Sequence, residues 1–186
     1  MLDIKDLHPI GIGTWTISKA NYAKDIKGLM YSFENGQNSI ECNASYLAGE
    51  SLDVVADFIK QIDREKIFIN VVMTYGVKNA DDVYKFLDLY MKKLNTTYVD
   101  CVTYGATLDF LEKEGFEPSE YLILLNLAEK YNKTQNQIIL NWIIKHKGIK
   151  VLCKCTDIHH IDENLQALDF EMSADDYLSL RSEERR

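Results

Sequence analysis

The feature that most limits what this chain can fold into is a rhythm that runs to Tyr104 and then stops. Short apolar or β-branched runs alternate with stretches of helical period. Residues 10–17 form an apolar run carrying Gly11 and Gly13. Residues 22–35 predict a helix with Ile26, Leu29, Met30 and Phe33 on one face, stopped by Gly36. A strand is expected over 39–43 and a helix over 52–62, through Val54, Val55, Phe58, Ile59 and Ile62. Residues 67–73 are a nearly unbroken apolar run, which predicts a strand buried on both faces. A third helix follows over 81–94, with Asn79 as N-cap, and a strand over 98–104. The order β-α-β-α-β-α-β implies a parallel sheet covered by helices.

Beyond Tyr104 the pattern is helical from 108 to 146, punctuated at 115–118 and around 132–134. One further strand is expected over 149–155, then a helix over 161–168. A last short helix begins at Ala174, where Ser173 is a good N-cap with Asp175 and Asp176 in the first turn. That makes five strands. A chain of 186 residues buries one substantial core and is short for two large domains. The expectation is therefore one domain over 1–186, with an N-terminal β/α half (1–115) and a C-terminal helix-strand-helix part (116–186).

Composition narrows the function classes. A formal charge of −8 with no Lys/Arg block argues against nucleic acid as a partner. No run approaches the about 18 apolar residues of a membrane span. The first residues lack the basic start and apolar run of a secretory signal. Cys42, Cys101, Cys153 and Cys155 are scattered, which favours free thiols in a reducing compartment, and the cytoplasm is the expected location.

Several motifs occur in order along the chain. Gly11-Ile12-Gly13-Thr14-Trp15 opens it, and Asn35-Gly36 precedes Ser39-Ile40-Glu41-Cys42-Asn43-Ala44-Ser45-Tyr46 and Gly49-Glu50-Ser51. Later come Leu94-Asn95-Thr96-Thr97-Tyr98-Val99-Asp100, then Leu127-Ala128-Glu129-Lys130-Tyr131 with Leu140-Asn141-Trp142. Val151-Leu152-Cys153-Lys154-Cys155, His160 and Glu163-Asn164-Leu165 close the series. Together these stretches resemble the aldo-keto reductases.

The resemblance implies a (β/α)8 barrel, which takes about 250 residues. Here the fourth-strand motif passes almost directly to that of the seventh helix, so barrel strands five to seven are expected to be absent. The implied fold is α/β, a TIM-barrel-derived parallel β/α assembly. It is an incomplete barrel of about five strands with covering helices, ordered 8-1-2-3-4 in barrel terms. Its two open edges are association surfaces, and either a homo-oligomer forms through them or a helix from 108–146 covers one.

The activity implied is NADPH-dependent reduction of a small carbonyl compound, which needs an acid to protonate the forming alkoxide and a held cofactor. By resemblance Tyr46 is that acid, and Glu41 replaces the usual aspartate. Val72 stands where the family has a lysine, and Gly105 where it has a histidine. The expected cofactor-binding residues are Gly13, Thr14, Trp15, Lys154, Cys155, His160, Glu163 and Asn164. Cys155 and His160 replace a serine and an arginine, so NADP(H) binding is expected to be weak or absent. Without a lysine, and beside Glu41, the phenol of Tyr46 should lie above its usual pKa of about 10. The expected function is thus a severely impaired or inactive reductase. The alternatives are an active reductase completed by oligomerisation, and a non-catalytic interaction or regulatory subunit.

Other features read more simply. Cys153 and Cys155 share one strand face and could meet His159 or His160 around a metal, but this spacing is not that of a structural zinc motif, so no metal site is expected. Tyr84 and Tyr90 fall on an amphipathic helix and should pack against the sheet. The 112–114 and 181–186 charge runs should be solvated. Glu41 lies in an apolar strand and needs a partner that the sequence does not name.

Overall fold

The computed structural model describes residues 2–73, 80–104, 118–145, 150–154 and 156–180. Asn79, Gly105, Cys155 and the 112–114 and 181–186 charge runs lie outside these residues.

The elements are β1 (Ile10–Gly13), α1 (Tyr22–Glu34), β2 (Ser39–Cys42), α2 (Glu50–Ile59), β3 (Phe68–Met73) and α3 (Ala80–Leu94). They continue with β4 (Cys101–Tyr104), α4 (Pro118–Tyr131), α5 (Gln135–Ile144), β5 (Val151–Lys154), α6 (Ile158–Leu165) and α7 (Ala174–Ser179). The five strands form one sheet in the order β4-β3-β2-β1-β5. This is the expected order, and among the described residues the sheet is not a closed barrel. Pairing of β1 with β2, β2 with β3 and β3 with β4 is parallel. The chain divides into two compact units, residues 1–106 with 152–161 and residues 107–151 with 162–186.

In the first unit the core lies on one face of the sheet. The register sets Ile12 beside Ile40, Ile40 beside Ile69 and Cys42 beside Val71. All of these side chains are buried, together with Leu29, Val55, Phe58, Tyr90 and Leu94 from the helices. On the opposite face Glu41 stands beside Asn70, Asn70 beside Cys101 and Val72 beside Thr103. Along β3 only Ile69, Val71 and Met73 are buried, while Phe68, Asn70 and Val72 are half-buried. The expectation that this strand is buried on both faces is therefore corrected. A β-branched run does not tell one buried face from two, and Asn70 was the hint that it was one.

β1 is narrow for a reason. A Cβ on Gly11 would lie 2.4 Å from Ser39 Oγ and 2.8 Å from Leu152 Cδ2. Neighbouring strands close over β1 only because it has no side chain there. Tyr90 packs as expected, but Tyr84 is 67% exposed, because it falls on the solvent face of α3.

The lower edge of the sheet is clipped by Arg64. Its guanidinium donates to Ile67 O (2.7 Å), Tyr98 O (3.1 Å), Thr96 Oγ1 (3.1 Å) and Asp100 Oδ2 (2.6 Å). It also lies 4.0 Å over the Tyr98 ring. Asp100 accepts from Ile69 N as well (2.9 Å) and is almost wholly enclosed. One residue thus joins the entry to β3 to the entry to β4.

In the second unit Leu124, Leu127 and Ile138 form a small core with Tyr131, Phe170 and Met172 around it. Thr134 and Gln137 make a reciprocal capping box at the start of α5. Asn141 donates to Ala167 O and Phe170 O, both at 2.8 Å. Asp176 accepts from Lys130, Tyr131 and Ser173, which draws its carboxyl down to about 2. Among the described residues no helix is long and apolar enough to cross a membrane.

Replacing Arg64 with alanine strands Asp100 in an enclosed position and should cost about 3–5 kcal/mol in urea unfolding. A loss below about 1 kcal/mol, as for an exposed ion pair, would contradict this role.

Candidate active site

The site residues lie on and beyond the C-terminal ends of β1, β2 and β3, and the turn after β2 carries Tyr46. Asn43 begins that turn, its Oδ1 accepting from Ser45 N (2.9 Å) and Ser45 Oγ (2.7 Å). This is an Asx turn, and Asn-x-Ser is its signal in the sequence. Next comes a 3-10 turn over Tyr46–Gly49 in which Leu47 (φ 48°) and Ala48 (φ 54°) are left-handed, followed by Gly49 (φ 93°). Left-handed geometry costs roughly 1–2 kcal/mol for each non-glycine residue, so the turn holds strain that surrounding contacts must offset.

One of those contacts is the centre of the site. The Tyr46 hydroxyl donates to Glu41 Oε1 at 2.6 Å. Glu41 sits on the half-buried face of β2 and supplies the acceptor directly. The Trp15 ring stacks on Tyr46 (centroids 6.3 Å apart, 22° between planes) and is itself largely exposed. Burial pushes the Tyr46 phenol up to about 12, with the hydrogen bond to Glu41 and its charge acting in the same direction. A hydrogen bond from Asn43 opposes them. Val72 occupies the same sheet face two residues beyond Asn70 and brings no charge.

Two buried acceptors near these groups have no partner among the described residues, Asn70 Oδ1 beside Glu41 and Thr14 Oγ1 at the end of β1. The Thr14 carbonyl accepts from the buried Ser51 hydroxyl (2.9 Å), which fixes the start of α2 to the end of β1. Gly13 passes close to β5, where an added Cβ would lie 3.1 Å from Cys153 O. Tyr90, placed by sequence only as a packing residue, reaches the turn with its hydroxyl. It accepts from Ala44 N (2.7 Å) and donates to Val72 O (2.9 Å).

The other expected cofactor residues fall in two groups. In the first unit Lys154 is exposed on β5 and His160 is exposed near the start of α6. That helix start is already occupied by an anion of the chain itself, because Asp157 Oδ1 accepts from His159 N (3.1 Å). Lys24 pairs with Asp157 at 3.1 Å. In the second unit the Glu163 carboxylate accepts from Thr134 Oγ1, and Asn164 Oδ1 accepts from Asn136 Nδ2 (2.8 Å). Gln137 Nε2 donates to the Glu163 carbonyl (2.9 Å). Both residues therefore anchor α5. Cys155 and Gly105 lie outside the described residues. Cys153 is half-buried, and burial pushes its thiol up to about 11.

Residues 9–108, just over half of the chain, match the Aldo/keto reductase family. Among curated proteins, the oxidoreductase YtbE of Bacillus subtilis (strain 168) is 42% identical over 57 residues, 31% of this chain and 20% of that protein. Glyoxal reductase of the same organism is 41% identical over 54 residues, 29% of this chain and 19% of the relative. The matched stretches thus span about a fifth of those relatives. Solved structures share the fold at low identity. The thermostable aldo-keto reductase Tm1743, in complex with the inhibitor epalrestat, superposes with a TM-score of 0.80 at 16% identity, covering 95% of each chain. An aldo-keto reductase from Klebsiella pneumoniae in complex with NADPH gives 0.76 at 16% identity, covering 94% of this chain and 90% of the other.

The raised Tyr46 pKa has a definite sign in stability. The folded state holds the phenol proton more tightly than the unfolded chain, where the pKa is about 10. The stabilisation is complete below that pH and is lost as pH rises through the folded value of about 12. Glu41→Gln removes the charge and should narrow this window. Urea unfolding of both proteins between about pH 9 and 12 should show the parent losing more stability across the range. Equal slopes would contradict the coupling.

Proposed function

The chain belongs to the aldo/keto reductase family, and from that premise we propose that it is a family member in which carbonyl reduction by Tyr46 is silenced and NADP(H) binding is weak or lost. The observation that carries this reading is the 2.6 Å hydrogen bond from Tyr46 to Glu41. A tyrosine acid must hand its proton to a forming alkoxide, and it does so best when its pKa lies near the working pH. A phenol at about 12 whose proton points at a carboxylate is a poor donor. Val72 supplies no cation to reverse this.

The cofactor class is NADP(H), supported by family membership and by the fold neighbour solved with NADPH. When bound, the cofactor supplies the hydride. This chain's own residues offer it little charge. Lys154 and His160 are exposed, and an imidazole lacks the planar fork with which an arginine grips a phosphate bidentately. Asp157 holds its carboxylate at the helix start, where a phosphate would otherwise find free N–H groups. Of Gly13, Thr14 and Trp15, only the exposed Trp15 stacks on Tyr46 and is open to a nucleotide, while Thr14 is fully buried. Glu163 and Asn164 are engaged with α5 and would have to exchange those hydrogen bonds for nucleotide contacts.

A second reading, self-association through the sheet edges, is favoured by the strand order. β4 and β5 each have a single strand neighbour among the described residues. Carbonyl reduction in such an assembly would need a cation from the second copy beside Tyr46.

Titration with NADPH, followed by nucleotide fluorescence and binding heat, should give no saturation below about 0.1 mM. Saturable micromolar binding that is lost in Lys154→Ala would contradict the reading.

A further inference from the structure

We infer that Tyr90 is a positioning residue for Tyr46, its buried hydroxyl setting the spacing between the turn after β2 and the end of β3. The inference rests on the proposed coupling of Tyr46 to Glu41, and it names the group that maintains it.

The register carries the case. β2 and β3 pair in parallel as far as Cys42 beside Val71, and β2 ends there. Two residues on, Ala44 N–H points toward the neighbouring strand, and Val72 O points back. The Tyr90 hydroxyl stands between them, accepting from one at 2.7 Å and donating to the other at 2.9 Å. It occupies the place of a further rung of the ladder and holds the strands one hydroxyl apart. The ring is fully buried, anchored on α3, which also buries Leu94. Tyr90 therefore cannot swing aside as an exposed side chain could.

Widening the sheet here has a consequence two residues later. Ala44 is followed by Ser45 and Tyr46, and the phenol returns over the sheet to meet Glu41. Glu41 lies on the face opposite the core that contains Tyr90, so the contact requires the turn to cross the strand ends at a set spacing. Without the hydroxyl, Ala44 N–H and Val72 O either close on one another or remain unpaired in a buried place. The first outcome draws the turn towards β3 and the second frees it from its anchor, and both should lengthen the bond between Tyr46 and Glu41. The left-handed Leu47 and Ala48 just beyond make the turn ready to relax once its anchor is lost.

Tyr46 ionisation can be followed through Trp15, because the rings stack and a phenolate quenches a neighbouring indole. Trp142, the second tryptophan, is replaced by phenylalanine in every protein compared, so that Trp15 alone reports. In this background the fluorescence titration of Tyr90→Phe should shift to lower pH by about one unit, in the same direction as that of Glu41→Gln. A Tyr90→Phe titration that coincides with the Tyr90-containing parent, while Glu41→Gln shifts, would overturn the role of Tyr90 and leave the Tyr46–Glu41 coupling standing. If Glu41→Gln does not shift either, the coupling itself fails and the inference falls with it. Should Tyr90→Phe not fold, amide exchange in the unmodified protein decides. Ala44 N–H should be protected well beyond an open turn, and exchange at the open-turn rate would refute the anchor.

Discussion

In the first unit everything turns on the sheet having one committed face. Ile12, Ile40, Ile69 and Val71 lie in register and are buried beneath the helices, so the strands cannot slip by one residue without turning their apolar row outward. That choice fixes what the other face presents. Gly11 and Gly13 fall there by parity, as do Glu41, Asn70, Val72 and Thr103. The candidate site is thus a by-product of core packing. Its strand-borne members are the residues left over once the alternating apolar positions have been used.

On that face, the proposal that carbonyl reduction is silenced rests on the burial of the Tyr46 phenol and on the charge beside it. A phenol that serves as an acid near neutral pH needs a cation beside it, and here its neighbour is an anion. Glutamate is one methylene longer than aspartate, and its carboxylate accepts the tyrosine's hydrogen bond directly. The interaction stabilises the fold and restrains a left-handed turn, while holding the proton that catalysis would have to release. Structure and activity make opposite demands on the same hydrogen bond.

Much of this was legible in the residues. Hydrophobic period placed the strands and most of the helices within a few positions, and the motif order gave the sheet order before any coordinates. Tyr46 and Glu41 could be named as the candidate pair, and the Glu41 charge pointed the phenol's pKa upward, although burial, the larger cause, was not legible. Their direct bond was not legible, because it depends on a turn whose Leu47 and Ala48 take a conformation that sequence signals reserve for glycine or asparagine. The reach of Tyr90 was hidden for a similar reason. Helical period says that a tyrosine faces the core but not where its hydroxyl ends. Glu163 and Asn164 look like ligand contacts in a motif, and only the fold shows that Thr134 and Asn136 already hold them.

Hydride transfer decides whether Tyr46 acts as an acid in this chain. NADPH oxidation would be followed with a reactive aldehyde and with protein in excess over nucleotide, comparing the unmodified chain with Tyr46→Phe. Both proteins should match the rate without protein. Oxidation by the unmodified chain that disappears in Tyr46→Phe would contradict this, and would mean that the proton shared with Glu41 is released during turnover.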